Sequence, residues 1–121
     1  MGYYSFTDAD ASAQAVRQLI AVADPVARNA SLNIARDDDM FAFDLGLIGA
    51  TSPAAMAYFR EGLSMIGLIE KVAVWRFGGW AGVGSFLDFA AGYGRSTRFL
   101  VEHLPAERVT VEEIQRDALE F

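Results

Sequence analysis

Apolar residues recur at intervals of three and four along most of residues 1–84, and the pattern changes character after that. Val16, Leu19, Ile20 and Ala23 fall on one stripe and predict an amphipathic helix. Thr7 with Asp10, just ahead of it, resembles a variant of the capping box. Asp24-Pro25 then reads as a cap followed by proline at a first helical position. That start predicts a second, short helix carrying Val26, Ala30 and Ile34. Asp37-Asp38-Asp39 closes the segment. Three adjacent carboxylates repel one another, so a solvated loop is expected there. They lack the ordered ligand pattern of a calcium loop, so no metal site is expected. Residues 40–50 are apolar but carry Asp44 and two glycines, which predicts a loop or short helical turn lining a pocket.

Ser52-Pro53 opens the longest predicted helix. Met56, Phe59, Leu63, Ile66 and either Val72 or Val74 form its buried stripe. Gly62 and Gly67 lie inside it. Each costs about 1 kcal/mol relative to alanine in a helix interior. Close packing against a neighbour, or close approach to a ligand, is the expected compensation. Gly78, Gly79, Gly82 and Gly84 then mark residues 77–84 as a flexible connector. The connector lacks the lysine and Ser/Thr of a phosphate-binding P-loop.

From Ser85 the pattern becomes strand, helix, strand. Phe86-Leu87-Asp88-Phe89 predicts a short strand of the kind buried in a parallel sheet. Thr97, Leu100, Val101 and Leu104 predict the helix, with His103 in its last turn and Pro105 ending it. Residues 108–112 predict the second strand, with Val109 and Val111 on one side. Glu113 opens the following loop, and residues 116–121 begin another helix. No internal repeat is present.

Composition narrows the classes. The chain has 121 residues, 53% of them apolar, which is enough for one domain with a core. A net charge of -6 argues against a nucleic-acid surface. The absence of cysteine removes disulfides, thiolate metal sites and a cysteine nucleophile, and one histidine cannot build a histidine metal cluster. Residues 63–74 are rich in apolar side chains, but Glu70 and Lys71 interrupt them, and the stretch is too short to span a bilayer. No basic-then-apolar leader opens the sequence. The expectation is a cytoplasmic protein without membrane or nucleic-acid partners.

The candidate chemistry lies at the end of the first predicted strand. A parallel sheet binds ligands beyond the carboxyl ends of its strands. Asp88 and residues 90–94 occupy such an end. Gly92 and Gly94 let the backbone turn tightly and approach a ligand. The helix that follows offers unpaired N–H groups to an anion. A dinucleotide fingerprint starting at Gly92 would need a third glycine where Thr97 stands.

Asp88-Phe89-Ala90-Ala91-Gly92-Tyr93-Gly94 resembles the first motif of class I S-adenosylmethionine (SAM)-dependent methyltransferases, with Ala90 in place of the first glycine. Arg108-Val-Thr-Val-Glu-Glu-Ile-Gln-Arg-Asp-Ala-Leu looks like the second segment of that family. The likeness covers residues 85–121. It implies an α/β fold: a helical N-terminal cap over residues 1–84, then the truncated start of a Rossmann-like SAM-binding sheet over 85–121. It implies SAM as cofactor, held by Asp88, Ala90, Ala91, Gly92, Gly94 and Glu113. The turn backbone would lie against the methionine part, Asp88 would help hold that end, and Glu113 would take the ribose hydroxyls, with Glu112 as the fallback. The implied activity is methyl transfer to a small-molecule acceptor. Arg60 is a candidate partner for the SAM carboxylate, and Phe41, Phe43, Tyr58, Trp75 and Trp80 are candidates for the acceptor pocket. His103 is a candidate base, but its place in a terminal helical turn favours a structural role. Strands that complete the family's sheet do not appear in the chain, so it is expected to be inactive alone. The open sheet edge is expected to pair with another copy, giving a dimer or larger homo-oligomer. A non-catalytic helical dimerisation module is the alternative.

Overall fold

The structure, a computed structural model, describes residues 2–4 and 11–121. The cap expected at Thr7 and Asp10 lies outside them. Helix α1 spans Ala11–Ala23 and buries Ala13, Val16 and Ile20. It follows the predicted stripe, with Leu19 at the margin of the core and Ala23 exposed.

The second helix does not form. Pro25–Ala27 makes a single 3-10 turn, and Ile34 lies instead in a strand. A side chain from α1 explains the difference. The Arg17 guanidinium donates to the carbonyls of Arg28 (3.1 Å) and Ala30 (2.6 Å). The chain after the turn is thereby held open. Strands β1 (Tyr3–Tyr4) and β2 (Ile34–Ala35) then pair antiparallel, Tyr4 opposite Ile34.

In place of a loop or short helical turn, residues 40–50 lie mostly in a full helix. Helix α2 spans Asp39–Ile48. Asp38 caps it, its carboxylate accepting from the N–H groups of Met40 (2.9 Å) and Phe41 (3.3 Å). Gly49, at φ 79°, ends it in the left-handed conformation that glycine adopts without strain. The acidic triplet is therefore not uniformly solvated: Asp37 and Asp39 are exposed, whereas Asp38 is buried.

Helix α3 spans Thr51–Phe77, with Pro53 in its first turn as expected. Phe59, Leu63 and Ile66 are buried, but Val72 and Val74 are exposed and Ala73 is buried between them. Gly78 N–H bonds to Val74 O (3.0 Å) and Gly79 N–H to Ala73 O (3.2 Å), closing the helix. The two internal glycines differ. A Cβ on Gly62 would sit 2.5 Å from the Arg95 carbonyl oxygen, whereas one on Gly67 would meet nothing within 4 Å. Close packing explains Gly62 alone.

The glycine connector is folded. Trp80–Gly82 forms a 3-10 turn tucked against the end of α3, where a Cβ on Gly82 would meet Phe77 O at 2.2 Å. Strand β3 (Phe86–Phe89), helix α4 (Thr97–His103) and strand β4 (Val109–Glu112) follow in the predicted order. The two strands are parallel, with Phe86 opposite Val109 and Asp88 opposite Val111. Helix α5 (Arg116–Glu120) comes last.

The described residues form a mixed α/β structure dominated by helix, with two small sheets. One apolar cluster joins α1, α2, α3 and α4, through Val16, Ile20, Phe41, Phe59, Leu63, Phe99 and Leu100. It crosses the boundary expected at residue 84. Among the described residues no helix is long and apolar enough to cross a membrane.

Candidate functional site

The turn after β3 concentrates left-handed backbone conformations. Ala90, Gly92 and Gly94 all take positive φ, at 55°, 59° and 78°. Glycine does this freely. An L-residue pays roughly 1–2 kcal/mol, because its Cβ crowds the following carbonyl. Ala90 is the only non-glycine among the described residues with positive φ. Two hydrogen bonds hold the turn to the end of β4. Ala91 N–H donates to Glu112 O (3.2 Å), and Gly92 N–H donates to the Glu113 carboxylate (2.7 Å).

A cavity of about 500 Å³ opens over this turn. Its floor is Asp88 with residues 90–93, and Glu113 and Gln115 close the β4 side. Asp38, Asp39 and Met40 come from the start of α2, and Met65 and Ile69 from α3. Of the residues singled out in the sequence, Asp88, Ala90, Ala91, Gly92 and Glu113 line this one cavity. Gly94 lies just past its wall, its N–H on Ala91 O (3.3 Å). Glu112 contributes its carbonyl to the turn while its side chain is exposed, so Glu113 is the acid on the cavity side.

The two carboxylates are fixed differently. Asp88 accepts the Thr97 hydroxyl proton from the first turn of α4. Glu113 accepts three amides: Gly92, Ile114 (2.8 Å) and Gln115 (3.1 Å). The Gln115 and Gly92 amides hold its pKa below the ordinary carboxylate value. Arg95, on the cavity wall, pairs with Glu61 of α3.

A buried network supports the turn from behind. Arg98 in α4 donates to Gly94 O (2.9 Å), Ser31 O (3.0 Å) and Asn33 O (2.7 Å). It also reaches the Tyr58 hydroxyl at 3.3 Å, and that hydroxyl donates to Asp38 at 2.5 Å. Burial pushes the Arg98 pKa down, opposed by Tyr58 and Asp38, and pushes the Tyr58 pKa up, opposed by Arg98 and reinforced by Asp38. One chain of bonds thus runs from the glycine turn through α3 to the cap of α2. Asp44, buried on α2 with Oδ2 unpartnered, has its pKa raised by desolvation, with Arg95 opposing the shift.

Sequence reasoning missed Asp38, Met65, Ile69, Ser96 and Gln115 as cavity residues, and Arg98 as the support. Arg98 left one signal, a charged residue beside Phe99 and Leu100 at the start of an apolar helix. The proposed aromatic pocket does not assemble. Phe41 and Tyr58 are core, Phe43 and Trp75 are exposed, and none of these lines the cavity. Trp80 stacks on His103 with ring centroids 5.0 Å apart. His103 Nε2 meets Asp24 Oδ2 at 2.6 Å, tying α4 to the end of α1 and leaving the histidine away from the cavity. Arg60 is exposed and also outside it.

Comparison with family models, with curated proteins and with solved structures returns no match.

Proposed function

We propose that this cavity binds SAM and that it is the cofactor site of a Rossmann-like methyltransferase acting on a small-molecule acceptor. One observation carries the reading: Asp88 and Glu113, at the ends of neighbouring parallel strands, flank one glycine turn on one cavity. Ligands of parallel α/β sheets bind at such strand ends.

The residues present fit the cofactor in size and charge. About 500 Å³ lies within the usual range of small-molecule sites. Asp38, Asp39, Asp88 and Glu113 face the cavity, and its one arginine is already paired with Glu61. The surplus of negative charge suits the sulfonium and ammonium of SAM. Met40, Met65, Ile69 and Phe86 supply an apolar wall for the adenosine part. In this reading the turn backbone takes the methionine end, Asp88 helps hold it, and Glu113 takes the ribose hydroxyls. SAM supplies the methyl group on a sulfonium, and displacement from it depends heavily on alignment. His103 is not part of this site, so the base is not assigned. The test is calorimetric titration with SAM. Asp88→Ala and Glu113→Ala should each weaken binding by about tenfold or more. Unchanged affinity in both variants would contradict the assignment.

A second reading, a helical interaction module without catalysis, draws on α3. Leu68, Val72 and Trp75 follow one another at intervals of four and three and are 57%, 57% and 81% exposed. Leu87 and Phe89 expose the outer face of β3. Apolar faces of this kind mark association surfaces.

A further inference from the structure

Glu113 is short of free acceptor positions. A carboxylate offers about four lone-pair sites. Ile114 N–H and Gln115 N–H share Oε1, at 2.8 and 3.1 Å, and Gly92 N–H occupies Oε2 at 2.7 Å. One site is left. A single ligand hydroxyl could use it with every existing bond intact, but a vicinal diol needs two. The bonds to Ile114 and Gln115 are local, to the residues that immediately follow. The bond to Gly92 spans two strand ends and is the one that opening the turn would release.

Resting on the cofactor reading of this cavity, we propose that Glu113 is a latch. In the ligand-free chain it closes the glycine turn onto the end of β4. A diol ligand needs the one free position and the one that Gly92 N–H occupies, so it opens the turn by displacing Gly92 N–H, and diol recognition and turn opening are one event. After opening, Ala91 N–H on Glu112 O still hinges the turn to β4. The left-handed conformations at Ala90 and Gly92 lie on either side of that hinge.

Amide hydrogen exchange, read residue by residue by NMR, separates the two parts. In the ligand-free chain, Gly92 N–H should be protected, and Glu113→Gln should raise its exchange by about tenfold or more. A glutamine keeps one acceptor oxygen, which cannot serve both Gly92 and the 114–115 amides, and it aims N–H groups at another donor. Glu113→Asp, one methylene shorter, should do the same while keeping the charge. Phe99 and Leu100 amides, in the core, should stay unchanged in both variants. Equal Gly92 exchange in wild type and both variants would overturn the latch. Saturating S-adenosylhomocysteine, which carries the ribose diol, should then move the Gly92 amide resonance and raise its exchange. Its 2′-deoxy analogue should leave Gly92 protected. An unmoved, protected Gly92 under bound S-adenosylhomocysteine would overturn the coupling. Failure of S-adenosylhomocysteine to bind would overturn the cofactor reading and the coupling together, while the ligand-free comparison would still decide the latch.

Discussion

Arg98 is the residue on which most of the site's geometry converges. It is buried, and its guanidinium satisfies carbonyls from Ser31, Asn33 and Gly94 as well as the Tyr58 hydroxyl. Removing a buried charge of this kind strands every partner it served. Arg98→Met should therefore destabilise the fold by roughly 3–5 kcal/mol. Tyr58→Phe removes only the hydroxyl between Arg98 and Asp38, and should cost about 1–3 kcal/mol. Urea unfolding followed by circular dichroism measures both. Equal, negligible losses would show that the network is not a support. Little of this was legible beforehand. Asp88, Gly92 and Glu113 could be read because each is defined by its own strand end or turn. The Arg98 network joins residues 31, 33, 38, 58 and 98, and no local pattern marks such partners.

At the scale of elements, the sequence pattern was faithful where packing repeats and misleading where one side chain intervenes. Helices α1, α3 and α4 and strands β3 and β4 fall where periodicity put them. Val26, Ala30 and Ile34 also have helical spacing, but Arg17 takes the carbonyls of Arg28 and Ala30 and the chain extends into β2. Residues 40–50 read as a loop or short helical turn, yet Asp38 caps the segment and Gly49 ends it, and a full helix forms between them. The two glycines of α3 give a paired test. Gly62→Ala would force a Cβ to within 2.5 Å of the Arg95 backbone, moving the turn that lines the cavity. It should destabilise by about 1–3 kcal/mol and weaken ligand binding. Gly67→Ala meets open space and should stabilise by up to about 1 kcal/mol through helix propensity. Thermal unfolding of the two variants should shift in opposite directions; a shift in the same direction would contradict the packing account of Gly62.

At the scale of the whole molecule, one core carries both the helical part and the strand–helix–strand part. The cavity lies where they meet, between α2, α3 and the β3 turn. The helices thus act as the upper wall of a site whose floor is the sheet. The same arrangement leaves Leu68, Val72, Trp75, Leu87 and Phe89 exposed, and we expect the chain to self-associate through them. Light scattering should find a dimer or larger species, and Leu68→Glu with Trp75→Glu should shift it toward monomer. A monodisperse monomer at high concentration would contradict this. NMR titration of the chain with SAM decides whether the cavity over the glycine turn takes the cofactor. Saturable shifts should concentrate at residues 88–94 and 113–115, with the exposed α3 stripe unmoved. No binding, or shifts confined to residues away from the glycine turn, would contradict it.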